Sequence, residues 1–163
     1  MLNKRGVYIK ERVTSYILEK ILNKTDPGYV ELMSPCGAVR GQIVYMPDGS
    51  CYPCDEARMA GNDIFKIGNI LEENYLDIMQ KDSVLHLLES SVMDLWSYDS
   101  VFLPWIGTCP VINYYLQGNI VPKIWSSPVH KIYVAQFSYI FEKIMDEDNI
   151  NIFKTWIEKK GGA

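Results

Sequence analysis

Apolar residues recur at three- and four-residue spacing near the start of the chain, where Val7, Ile9, Val13, Tyr16, Ile17 and Ile21 stand among Lys, Arg and Glu. This puts them on one face of a helix, predicted over about 11–23, and Thr25, Asp26, Pro27 and Gly28 end it by turn chemistry. A short extended piece is expected over 29–33. From 42 to 52 the pattern changes: Gln-Ile-Val-Tyr-Met, Pro-Asp-Gly-Ser and Cys-Tyr read as a hairpin, with Pro47 preset for the turn and Gly49 free to take positive φ. Residues 55–59 predict a short helix stopped at Gly61 and Asn62, and 65–70 a weak strand or extended connector interrupted by Gly68.

Helical spacing returns over 72–80 and 83–96. The second of these carries Val84, Leu85, Leu87, Leu88, Val92, Leu95 and Trp96, with Asp82 or Ser83 able to cap it. Residues 97–108 show no period and read as a loop. Pro110 suits the first turn of a helix over 111–116, closed by Gln117, Gly118 and Asn119. A loop containing Pro122 and Pro128 leads to a long helix over about 129–145, and Asp146 to Asn149 separate it from a short helix over 150–158. The pattern predicts an α+β chain, rich in loops, with several packed helices around one small hairpin and no internal repeat. The expected division is a helical segment 1–27, a main domain 28–145 and a helical tail 146–163.

Composition narrows the function classes. The 163 residues are 48% hydrophobic and 22% charged, ample for one folded core. A net charge of -4 gives no electrostatic reason to bind nucleic acid or an anionic membrane. Apolar stretches are broken well short of the roughly 20 residues that a spanning helix needs. The Lys and Arg residues near the start do not lead into the apolar core of an export signal, so a cytoplasmic location is expected.

Four cysteines, Cys36, Cys51, Cys54 and Cys109, then need an explanation other than disulfides, because the cytosol keeps thiols reduced. Cys51 and Cys54 have a two-residue gap that lets both sulfurs face one centre. Cys36 lies just before the opposite strand of the same hairpin, and Cys109 falls at a helix start, where the macrodipole favours a thiolate. Four thiolates suit zinc or an iron-sulfur cluster. Two other readings stay open: four buried core cysteines, and a thiol-disulfide pair at Cys51 and Cys54, the latter without the βαβ surroundings of such motifs. His86 reads as structural. His130 reads either as a helix-start residue or as a ligand joining Cys109.

The order of motifs adds a resemblance. Cys36-Gly37-Ala38, then Gly49 with Cys54 in the frame Pro-Asp-Gly-Ser-Cys-Tyr-Pro-Cys-Asp-Glu-Ala-Arg-Met, then Phe65-Lys-Ile-Gly-Asn-Ile70, resembles the SPASM domain of radical SAM enzymes. Cys109-Pro-Val-Ile-Asn-Tyr114, Gln117-Gly-Asn-Ile120 and the run from Phe137 to Lys143 continue the likeness to peptide-modifying maturases, those of the His-Xaa-Ser system above all. The resemblance spans about 28–145 and implies auxiliary 4Fe-4S clusters, with Cys36, Cys54 and Cys109 matching ligands of the first and Cys51 well placed as its fourth.

Departures from the family pattern matter as much. The second-cluster ligands are replaced by Ser97, Ser100, Trp105 or Ile106 and His130. The resemblance therefore implies one 4Fe-4S cluster, with zinc as the alternative, on Cys36, Cys51, Cys54 and Cys109. The Cys-x3-Cys-x2-Cys loop that cleaves SAM sits in a barrel of about 200 residues, which this length cannot hold, so no SAM site and no self-contained catalytic residues are expected. The implied role is an auxiliary domain in maturation of a ribosomally made peptide, with a precursor peptide or a radical SAM protein as partner. The alternative is a metal-free module that binds a peptide or partner protein.

Overall fold

A computed structural model describes residues 5–7, 9–91, 93, 100–102, 104–106, 108–121 and 123–158. It divides into two compact units, one of residues 28–130 and one of residues 1–27 with 131–163.

In the second of these, the expected first helix forms as α1 (Arg12–Leu18), continued by a π-helical turn over Glu19–Asn23. Glu11 caps it, its carboxylate accepting from the backbone N–H groups of Val13 and Thr14 at 3.1 and 2.5 Å. Lys24, at φ 54°, ends it in the left-handed region. Helix α6 (Pro128–Ile144) supplies buried Phe137 and Ile140, and α7 (Glu147–Glu158) packs against α1. The tail helix starts three residues earlier than the periodicity indicated. Asp146 Oδ1 accepts from the N–H groups of Asp148 and Asn149, so the acidic run forms the cap and first turn instead of a break.

The 28–130 unit opens with a 3₁₀ turn, Val30–Leu32, where an extended piece was expected. Among the described residues no strand pairs with this segment, and its backbone forms i→i+3 bonds such as Leu32 N–H to Tyr29 O at 2.9 Å. The hairpin forms as predicted: β1 (Val44–Tyr45) pairs antiparallel with β2 (Ser50–Tyr52), Tyr45 opposite Cys51. Gly49 takes φ +82° in the turn, and a Cβ there would stand 2.6 Å from Leu71 Cγ. The weak strand is β3 (Gly68–Asn69), antiparallel to β2 with Cys51 opposite Gly68, which completes a three-stranded sheet.

Four helices surround that sheet among the described residues: α2 (Asp55–Met59), α3 (Tyr75–Met79), α4 (Asp82–Ser90) and α5 (Pro110–Gln117). Helix α3 is shorter than its period because Asn74 caps it, accepting from Leu76 and Asp77 N–H at 2.9 and 3.1 Å. Helix α4 begins one residue early, with Asp82 in its first turn and Lys81 at the cap position. Its predicted continuation through Val92, Leu95 and Trp96, like Ser97, Gly107 and Pro122 of the loops, lies outside the described residues. Pro110 opens α5 and Gly118, at φ +70°, closes it. Cys51, Cys54, Phe65, Ile67, Ile78 and Val84 form the centre of the core, with Phe65 meeting the Tyr114 ring edge-on at 5.4 Å. The α+β class expected from the sequence is the class observed.

Candidate metal centre

Three cysteines each start a turn or helix, and in two of them a backbone N–H points back at the sulfur. Cys36 Sγ accepts from Ala38 N–H at 3.5 Å and Cys54 Sγ from Ala57 N–H at 3.4 Å. Cys54 is the N-cap of α2 and Cys109 the N-cap of α5, the latter without a side-chain cap hydrogen bond. Backbone N–H donors of this kind stabilise a thiolate or a metal-bound sulfur. Cys51 behaves differently: buried on β2, it donates its thiol proton to Gly49 O at 3.4 Å.

Long-range hydrogen bonds hold the three segments in place. The Cys36 N–H donates to Ser91 Oγ at 3.0 Å, and the Thr108 hydroxyl donates to Ser91 O at 3.2 Å. Ser91, buried at the end of α4, thereby links the backbone of Cys36 to the residue preceding Cys109. Val39 N–H donates to Pro53 O at 2.8 Å and ties the Cys36 loop to the residue preceding Cys54. Val39 does so at φ +65°, a left-handed conformation that a β-branched residue adopts only under constraint. Beside Cys36, a side chain at Gly37 would run into Met33 and stand 3.1 Å from Val30 Cγ1.

Burial and neighbouring charge keep these three thiols protonated. Burial pushes Cys54 up to about 12, and the Glu56 carboxylate and Cys109 add to the rise. Burial pushes Cys109 up to about 11, with Cys36 and Glu56 contributing. Cys36 is raised by burial and, through charge, by Glu56. All four cysteines are free thiols, and the thiol-disulfide reading lacks the lowered pKa that an attacking Cys54 would need.

His130 is buried, 6.3 Å from the Trp125 ring, and lines a small cavity of about 10 Å³ with Thr108, Cys109 and Asn113. The Asn113 Nδ2 is buried there with no hydrogen-bond partner among the described residues. That space admits about one water molecule. Among the described residues, no three His, Cys, Asp or Glu side chains are arranged to share a single ion. A lone zinc needs all its sulfurs about 2.3 Å from one point, whereas a cluster presents separate iron corners to ligands set further apart. Thiols on three separate segments, with no shared single-ion geometry among the described residues, fit the cluster better than the ion. Sequence reasoning missed Ser91, one of a pair of serines within the apolar helical stripe predicted over 83–96.

Comparison with known proteins agrees with this geometry. Residues 36–95 match the model of the SPASM family, an iron-sulfur cluster-binding domain, in agreement with the resemblance seen in the motifs. Cys36, Cys51 and Cys54 lie inside the matched segment and Cys109 outside it. A solved structure described as histidine-tagged anSMEcpe with bound AdoMet shares the fold, with a TM-score of 0.67 at 18% identity. The likeness covers 96% of this chain and 39% of that one, so this chain spans well under half the length of its structural neighbour. No curated protein matches it.

Proposed function

We propose that this chain holds one 4Fe-4S cluster on Cys36, Cys54 and Cys109 and acts as an auxiliary domain in radical SAM modification of a ribosomally made peptide. The observation that carries the proposal is the set of three cysteines at turn and helix starts, Cys54 buried and Cys36 and Cys109 partly so, with backbone N–H donors on the Cys36 and Cys54 sulfurs, within or beside a segment that matches the SPASM family. Bound there, the cluster would supply electron transfer. The chain's own residues position it, desolvate it and tune it through N–H to sulfur bonds. Cys51, the fourth cysteine of the expected set, is the fourth ligand of that reading. The partners proposed are a precursor peptide or a radical SAM protein. A cytoplasmic setting accords with four free thiols, and no described helix is long and apolar enough to cross a membrane.

Anaerobic purification followed by iron, sulfide and zinc analysis tests the proposal. The expected result is about four iron and four sulfide per chain. Zinc in their place would assign the centre to a single ion, and near-zero metal in every preparation would sink the proposal. The metal-free binding module is the second reading, favoured by the lack of a preformed single-ion site among the described residues. It requires the metal-free chain to capture a peptide or partner as well as the loaded chain does.

A further inference from the structure

We propose that Asn113 is a positioning residue of the centre, its side-chain amide donating to the Cys109 sulfur when that sulfur is a thiolate, free or metal-bound. For the bound form this rests on the reading of Cys109 as a ligand. Asn113 is 2% exposed on α5, and its Nδ2 is buried with no hydrogen-bond partner among the described residues. A buried N–H left unused carries its desolvation cost with nothing in return. An acceptor that strengthens after folding accounts for it, and a sulfur that gains negative charge is one.

The two residues share a helix face and a cavity. Cys109 is the N-cap of α5, and Asn113 stands four residues on, its backbone N–H donating to Cys109 O at 2.9 Å. Residues four apart lie one above the other, and helical side chains lean toward the N-terminus, which aims Asn113 at the capping cysteine. Both line the cavity of about 10 Å³, whose walls stand about one water molecule apart. Two other polar groups of that wall are already engaged: the Thr108 hydroxyl donates to Ser91 O at 3.2 Å, and Ser127 Oγ accepts from His130 N–H at 3.3 Å.

Cys109 also lacks what its two companions have. The Cys36 and Cys54 sulfurs accept from Ala38 and Ala57 N–H, whereas Cys109 caps α5 without a side-chain cap hydrogen bond. A neutral thiol is a weak acceptor, and a charged one makes bonds about twice as strong. The Asn113 amide therefore completes a set of one donor for each of the three sulfurs, and does so in the charged state. Such a bond holds the ligand in place and favours the more negative, reduced form of a cluster.

The test compares the full-length chain with Asn113→Val, which keeps the volume and removes the donor, and with Asn113→Ala. Each is prepared anaerobically with and without metal. Thermal melting of the metal-free chains serves as the control for folding, and Asn113→Val is expected to melt close to the parent because the donor it loses is unpaired there. The loaded variants are expected to lose metal to EDTA about tenfold faster and to show a lower reduction potential. In the metal-free chains, alkylation of Cys109 by iodoacetamide at one fixed pH, read by mass spectrometry against Cys36, is expected to slow because its thiolate has lost a donor. A parental potential in a folded variant or, should the centre prove to be zinc, parental retention against EDTA overturns the proposal. If Asn113→Val alone fails to fold, Asn113→Ala is judged by the same measures; failure of both overturns the proposal, because the amide then serves the fold itself. Absence of metal from the parent is a different failure, of the metal-centre reading. The alkylation rates then decide: slower at Cys109 supports the Asn113 bond, and an unchanged rate overturns it.

Discussion

Burial makes a thiol hold its proton, and this sets opposite pH trends for the metal-free fold and for metal loading. Cys54 and Cys109 stand at about 12 and about 11, against an ordinary value of 9.0. Because the folded values exceed the unfolded one, their contribution to stability is fully present below about pH 9 and is lost as pH rises through the folded values. Urea midpoints of the metal-free chain are therefore expected to stay level to about pH 9 and to fall above it; a level profile to about pH 11 would show that these thiols are not buried. Cluster assembly must release the same protons, so iron loading becomes easier as pH rises toward 9. A second residue-scale prediction concerns Ser91. Ser91→Ala leaves the Cys36 N–H without its acceptor, at a cost of about 1–3 kcal/mol, and lets Cys36 drift from the centre. Denaturation should show that loss and iron retention should drop, with Ser91→Thr restoring both. The cysteines were legible in the sequence because spacing and motif order mark them. Ser91 was not, since it acts on a residue 55 positions away, and a serine's hydrogen-bond partner at that distance is set only by folding.

Elements whose signals are local were the legible ones. The β1–β2 hairpin, the short helix after Cys54 and the Pro110 helix start each follow from turn or cap chemistry confined to a few residues, and each formed where expected. The boundaries of α3, α4 and α7 shifted because side-chain caps override apolar period at helix ends. Segment 29–33 was misread because a short apolar run does not distinguish a strand from a 3₁₀ turn. The hairpin turn is also the element on which the centre most depends, since β2 leads directly to Cys54. Gly49→Ala forces a side chain into φ +82° and against Asn69 and Leu71, which should cost about 1–3 kcal/mol or more. Thermal melting is expected to show a clear drop in midpoint, with reduced iron per chain. An unchanged midpoint would mean that the turn adopts another conformation.

At the scale of the whole molecule, every proposed ligand and every bond that positions one falls between Cys36 and Asn113, inside the 28–130 unit. The two-unit division was beyond the sequence: residues 1–27 and 131–163 are far apart along the chain, and helical period alone does not say which helices will share a core. Cluster binding to the native state alone stabilises that state by mass action, by about 2.7 kcal/mol at a hundredfold excess over the dissociation constant. Because the ligands draw on the loop before β1, the start of α2 and the start of α5, the effect should spread over those segments and not remain at single residues. Amide hydrogen exchange on the loaded chain and on the same chain after iron removal by oxidation and chelation provides the measurement. Added protection is expected at Ala38 and Ala57, whose N–H groups donate to the sulfurs, at Val111 and Ile112 in the first turn of α5 after Cys109, and at Val39, whose N–H ties the Cys36 loop to Pro53. Equal exchange at these amides with and without iron would mean that the fold is complete without a cluster, as the metal-free module requires.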